Sequence, residues 1–240
     1  MTGEIKRTVA HRPWPLPAWP WVMFQSWRDV LFAHWRVPFE RLRPLVPGSL
    51  VVEEFDGSGW VGLVPFRIVD LHPRLVPPLP GLSDFPEMNL RTYVRVGDKP
   101  GVYFFSLDAA STAAVLAARV GYRLPYFRAD MKVASLDGWV EYRSRRRCGQ
   151  AEFIGRYAPL GEARTAEPGT LEHFLVERYA LYAPAAGGLV LRGDIHHRPW
   201  PLQPAQAVID VNSVLSAHGI VPAPGTIPCA ERTEFTSMMA

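Results

Sequence analysis

Hydrophobic and polar positions along this 240-residue chain alternate mostly with a period of two, and helical spacing appears in four short windows. Phe24 to Trp35 reads as a strand. Ser49 to Phe55 and Trp60 to Val69 are β-rich runs separated by Asp56-Gly-Ser-Gly59, the turn chemistry of a hairpin. Met88 to Val96 and Val102 to Leu107 pair across Gly97-Asp-Lys-Pro-Gly101. Phe127 to Ser135, Trp139 to Arg146 and Ala151 to Tyr157 extend the series, followed by Arg178 to Tyr182 and Leu189 to His196. The helical windows are Pro38 to Val46, Ala109 to Tyr122, Thr170 to Val176 and Asn212 to His218. The second is Ala-rich, places Val115, Leu116 and Val120 on one side, and has Asp108 or Ser111 as a cap. Leu71 to Pro86, with its His-Pro, Pro-Pro and Pro-Gly steps, reads as a long loop of the kind that often serves function.

Twenty-four prolines distributed along the chain argue against long helices, so the pattern predicts a mainly β (α+β) fold. No composition break divides the chain, which reads as a single domain, 1–240, with a Trp/Pro-rich N-terminal arm over 1–22. The hydrophobic fraction of 48% and charged fraction of 20% are those of a globular protein with a core. No apolar run of about 18 residues and no signal-peptide pattern occurs, so the expectation is a cytoplasmic protein without a membrane partner. Cys148 and Cys229 stand alone, without zinc spacing, and no metal or cofactor is expected. GxGxxG, GxxxxGK[ST], HExxH and GxSxG are all missing, which removes support for nucleotide binding and the common hydrolases.

The net charge of +3 is carried almost wholly by arginine, since the only lysines are Lys6, Lys99 and Lys132. Arg143, Arg145, Arg146 and Arg147 cluster at a hairpin end. They read as a solvated face rather than a nucleic-acid site, because no stacking aromatics alternate with them.

On the strand Met88 to Val96, Met88, Leu90, Thr92, Val94 and Val96 share one face, and Asn89, Arg91, Tyr93 and Arg95 share the other. The polar face is either solvated or a cavity wall, where Arg91 would offer a planar fork to a carboxylate or phosphate. Lys132, mid-strand, is either exposed or, if buried, a nucleophilic amine. Glu177 and Arg178 read as a structural ion pair or as ligand-site residues. His196 and His197 point to opposite faces of a strand, which argues against a shared metal.

The segments FAHWRVP (Phe32 to Pro38), FDGSGWVGLVPF (Phe55 to Phe66), LPGLSDFPEMNLRTYV (Leu79 to Val94), GVYFFSLDAAS (Gly101 to Ser111), LPYFRADM (Leu124 to Met131) and HHRPWPLQPA (His196 to Ala205) closely resemble the YqjF-like family of uncharacterised bacterial proteins. That family resembles a branch of the acetoacetate-decarboxylase-like superfamily. The resemblance implies a β-barrel or cone of antiparallel strands with a few short helices and a central cavity. The superfamily's Schiff-base lysine follows a Gly-x-Pro turn. Its counterpart here, Leu124-Pro125, leads into Tyr126 and Phe127, so the lysine is absent. A glutamate three residues after a proline would fall near Asn89, so that carboxylate also reads as lost.

The expectation is therefore a barrel that binds a small acidic or carbonyl-containing molecule, as an enzyme without imine chemistry or as a former enzyme. Arg91 would anchor the anion, with Asn89, Tyr93, Tyr126 and Glu177 as polar lining. A non-catalytic binding protein is the alternative, anion or nucleic-acid binding through Arg143 to Arg147 a lesser one, and homo-oligomerisation stays open. The hexapeptide HRPWPL occurs at His11 to Leu16 and again at His197 to Leu202, with unrelated flanks. Both copies read as rigid, Trp-anchored straps against the barrel rather than traces of domain duplication.

Overall fold

The computed structural model describes residues 8–224 and the backbone of residues 229–239, so Lys6 and the first seven residues of the expected arm lie outside the described residues. Thirteen strands are described: β1 (Met23–Val37), β2 (Val51–Val52), β3 (Glu54–Phe55), β4 (Ser58–Pro73), β5 (Phe85–Val96), β6 (Lys99–Ala109), β7 (Tyr126–Leu136), β8 (Trp139–Arg146), β9 (Glu152–Pro159), β10 (Ala180–Pro184), β11 (Val190–His197), β12 (Gln203–Asn212) and β13 (Cys229–Met239). Three short α-helices accompany them: α1 (Phe39–Leu42), α2 (Thr112–Tyr122) and α3 (Leu171–Val176).

The sheet closes on itself. The order β6-β7-β8-β9-β12-β13-β1-β4-β5 returns to β6 through the β5–β6 hairpin, and β10-β11 forms a second bridge from β6 to β13. A closed sheet leaves few edges open to foreign strands. Pairing is antiparallel except where β6 meets β7 and β10, which run parallel to it. The described residues thus form the expected barrel of mostly antiparallel strands with few short helices and an internal cavity.

Strands β1, β4 and β5 are buried on both faces, which explains their near-continuous apolar sequence. Leu31, Ala33, Leu63, Met88 and Leu90 join Tyr142, Phe153 and Tyr157 in one apolar cluster. Val30, Phe32, Val64, Phe66 and Tyr93 join Phe104, Leu107, Trp200 and residues of α2 and α3 in a second. The second cluster surrounds the cavity. At the hairpin predicted by Asp56-Gly57, both residues take positive φ (53° and 66°), as a tight two-residue turn between twisted strands requires.

Three expectations change. Gln203–Asn212 is a strand, where proline and alternating small residues had masked the period, and the turn after it, Ser216–His218, is 3-10 rather than a helix from Asn212. Strand β4 runs to Pro73 and β5 starts at Phe85, so the long loop shrinks to residues 74–84. Helix α2 starts after Ser111, whose hydroxyl caps Ala114, and buries Val115 alone: Leu116 and Val120 are 58% and 84% exposed.

The two HRPWPL copies meet. His11 donates from Nε2 to the His197 carbonyl (2.6 Å), Arg12 donates to the Ile195 carbonyl (2.6 Å), and the Trp14 indole donates to Asp194 (3.0 Å). Trp200 of the second copy is buried edge-on against Phe32 at 4.8 Å. The first strap thus braces β11, one wall of the cavity.

Candidate functional site

A cavity of about 160 Å³ lies between the inner faces of β4, β5 and β6 and a cover made by α2, α3, β10 and β11. Most of its wall is apolar. Its polar end comes from three consecutive inward positions of β5, Glu87, Asn89 and Arg91, joined by Tyr126, Arg178 and His197. Alternation places them there, because Met88 and Leu90 between them are committed to the opposite core.

Glu87 is 3% exposed, and Tyr126 Oη reaches its carboxyl oxygens at 3.0 and 3.2 Å. Burial pushes its pKa from an ordinary 4.5 up to about 8, the Tyr126 bond working against that shift and nearby Asp108 adding to it. The Tyr126 hydroxyl is in turn held well above its usual range by burial and by Glu87. Behind them, buried Asp108 is paired with Arg146 at 2.8 Å; burial raises its pKa while Arg146 opposes the rise.

Arg91, 5% exposed, donates to the Leu175 carbonyl (3.1 Å) and lies over the rings of Phe32 (5.1 Å) and Tyr93 (5.8 Å). Its Nε has no partner, and among the described residues no carboxylate pairs with it. Asn89, 1% exposed, leaves both amide atoms without partners. A buried guanidinium and amide in this state cost stability unless something fills the space beside them. Arg178 is neutralised differently, by Glu53 at 2.5 Å. His197 stacks on Tyr179 at 4.3 Å, and burial pushes its pKa down to about 3, so it is neutral.

The structure brings Arg91, Asn89 and Tyr126 together in the cavity wall. Tyr93 shares their face but lies deeper, outside the lining, where its hydroxyl is hydrogen-bonded to His34 Nε2 (2.6 Å). Burial and then Arg91 hold His34 well below its usual pKa, so it stays neutral. Glu177 is also outside the lining: its carboxylate accepts from the Trp200 backbone N–H (2.9 Å) and from the Tyr179 hydroxyl, which makes it a clamp on the second strap. It does not pair with Arg178, because that guanidinium turns toward Glu53. Lys132 is exposed on β7.

The arginine cluster is split by strand alternation: Arg146 is buried on Asp108, Arg147 pairs with Asp130 at 2.8 Å, and Arg143 and Arg145 face outward. Sequence reasoning missed Glu87; of the Glu177–Arg178 pair, for which a structural or a ligand-site role was open, Arg178 lines the cavity, and His197 lines it as a buried neutral ring. Extending the alternation of Asn89 and Arg91 back by one step reaches Glu87, a buried carboxyl two residues before Asn89. Among the described residues, no three His, Cys, Asp or Glu side chains converge as metal ligands.

The profile of the DUF2071 family, described as an uncharacterized conserved protein, matches residues 24–234. The chain is 47% identical over 201 residues to the uncharacterized protein YqjF of Bacillus subtilis, covering 83% of each. Its fold is similar to acetoacetate decarboxylase of Legionella pneumophila, with TM-score 0.58 at 14% identity over 98% of this chain and 92% of that one. It is also similar to the enduracididine biosynthesis enzyme MppR complexed with pyruvate, with TM-score 0.60 at 9% identity over 95% and 91%.

Proposed function

Because the chain belongs to the DUF2071 family and has the acetoacetate-decarboxylase-like fold, we propose that its cavity binds a small carbonyl-bearing carboxylate and moves a proton on it. Arg91 anchors the carboxylate and Glu87 is the acid and base. The observation that carries this reading is a buried guanidinium without a carboxylate partner, four residues along one strand face from a carboxyl that burial keeps protonated near neutral pH.

A group whose pKa lies close to the working pH both gives and takes protons efficiently. In its protonated form Glu87 offers a hydrogen to a carbonyl oxygen; once ionised, it takes a proton from the carbon next to that carbonyl. The Tyr126 hydroxyl, aimed at Glu87, stabilises the ionised state. Neutral Asn89 supplies an amide N–H to the same oxygen. Among the described residues this wall holds no amine for imine chemistry, since Lys132 is exposed and Lys99 lies over Trp14 instead. The pyruvate bound in MppR supports the ligand class. An acid and base within the lining favours catalysis over passive binding.

The test has two arms. Calorimetric titration should give tighter binding for pyruvate than for neutral pyruvamide, with the preference lost in Arg91→Gln. In D2O, NMR should show exchange of the pyruvate C3 hydrogens with wild type and at least about a hundredfold less with Glu87→Gln. Equal binding of the two probes by wild type refutes the anion anchor, and equal exchange by wild type and Glu87→Gln refutes the proton transfer.

A further inference from the structure

Helix α2 is built inside out. A helix on a protein surface ordinarily turns its bulky apolar residues toward the core. Here the residues of α2 that line the cavity are Ala114, Ala117 and Ala118, spaced i, i+3, i+4, with Tyr122 at the helix end, while Leu116 and Val120 are outside the lining and exposed. The side chains that would fill the space under the helix are missing from its inner face, and the cavity is that space.

The apolar lining also includes Phe85, Leu107, Leu124, Met23 and Leu71. No charged group of the lining comes from α2. The charged lining is supplied by β5 and by Arg178, and the unpartnered atoms of Asn89 and Arg91, both more than nine-tenths buried, are on β5.

From this polarity we infer that the ligand is amphipathic: a short branched-chain 2-oxo acid, with its carboxylate on Arg91 and its branched aliphatic end under the alanine face of α2. The inference rests on the carboxylate-binding reading above and adds the specificity determinant. A cavity of about 150 Å³ accommodates a benzene ring, so about 160 Å³ accepts a ligand of roughly six to nine non-hydrogen atoms, provided that its end reaches the half-buried Ala118. A charged tail would lie against the alanine methyl groups of α2 without an ionic partner and would bind poorly. A branched aliphatic tail replaces the missing core side chains of α2 and gains about fourfold in affinity per buried methylene.

Titration calorimetry with pyruvate, 3-methyl-2-oxobutanoate and 4-methyl-2-oxopentanoate tests this on wild type, Ala118→Phe and Arg91→Gln. Wild type should bind 4-methyl-2-oxopentanoate at least about tenfold more tightly than pyruvate. Ala118→Phe, at the half-buried end of the lining, should level the series by filling the space of the tail, whereas Arg91→Gln should weaken all three. A flat series in wild type that still depends on Arg91 overturns the amphipathic ligand and leaves the carboxylate site standing. Tail preference that survives Ala118→Phe, with that variant shown to be folded by its melting curve, removes α2 as the determinant. A series bound equally by wild type and Arg91→Gln, or no binding of any acid, overturns both readings.

Discussion

Glu87→Gln keeps the shape of the side chain and removes its titration, so the difference in stability between variant and wild type isolates one carboxyl. In the unfolded chain that carboxyl ionises near 4.5, and in the folded protein near 8. Between these values the folded state holds a proton that the unfolded state has released. Wild-type stability must therefore fall as pH rises through this window, and the contribution is fully present only below 4.5. At about 1.4 kcal/mol per pH unit, the full span amounts to roughly 5 kcal/mol as a ceiling, of which backbone relaxation and water entry leave about 2–5 kcal/mol. Gln adds a constant cost for placing its amide, which shifts the difference without tilting it. Urea unfolding of both proteins from pH 4 to pH 9 should show Glu87→Gln gaining on wild type steadily from about pH 4.5 to 8 and then levelling. Asp108, also raised by burial, is common to both and cancels. A difference that stays flat with pH, or tilts the other way, would refute the claim that Glu87 is held protonated.

Tyr126→Phe removes the donor that favours ionised Glu87; the midpoint of the same pH-dependent difference, measured against the double variant with Glu87→Gln, should move upward. Gly62→Ala places a Cβ 2.9 Å from the His34 ring and 3.2 Å from the Tyr93 hydroxyl, and because that buried pair is fixed by its own hydrogen bond, urea titration should show a loss of about 1–3 kcal/mol. Borohydride treatment with pyruvate, read by intact mass, should give no adduct on wild type or on Lys132→Ala, since Lys132 faces outward; an adduct lost with Lys132→Ala would restore the imine reading.

The strands were legible because β1, β4 and β5 carry dense apolar runs, and the turns because Asp-Gly and Gly-Asp steps mark them. Strand β12 was not, since its burial alternates only between half-buried and exposed, and Pro204 imitates a loop. Alternation on β5 predicted a polar face holding Asn89 and Arg91, but a single-strand pattern cannot say that both faces are covered. That depends on α2, α3 and β11 arriving from distant parts of the chain. Glu87 fell outside the reading because the strand was started at Met88, three residues after its beginning at Phe85. Tyr93 and Glu177 are polar residues near the cavity whose hydrogen bonds are already taken by His34, Trp200 and Tyr179. Sequence spacing cannot reveal such partners, which lie 23 and 59 residues away along the chain for Trp200 and His34. The repeated HRPWPL was legible as architecture, and the structure adds that one copy braces the strand leading into the other.

The most direct test of the carboxylate site is a crystal structure with 4-methyl-2-oxopentanoate bound. The account predicts the ligand carboxylate about 3 Å from Arg91 Nε, its carbonyl oxygen within reach of Glu87 and Asn89, and its branched end against Ala114 and Ala118. A ligand lodged outside the cavity, or one whose carboxylate points at α2 and leaves Arg91 without an anion, would contradict it.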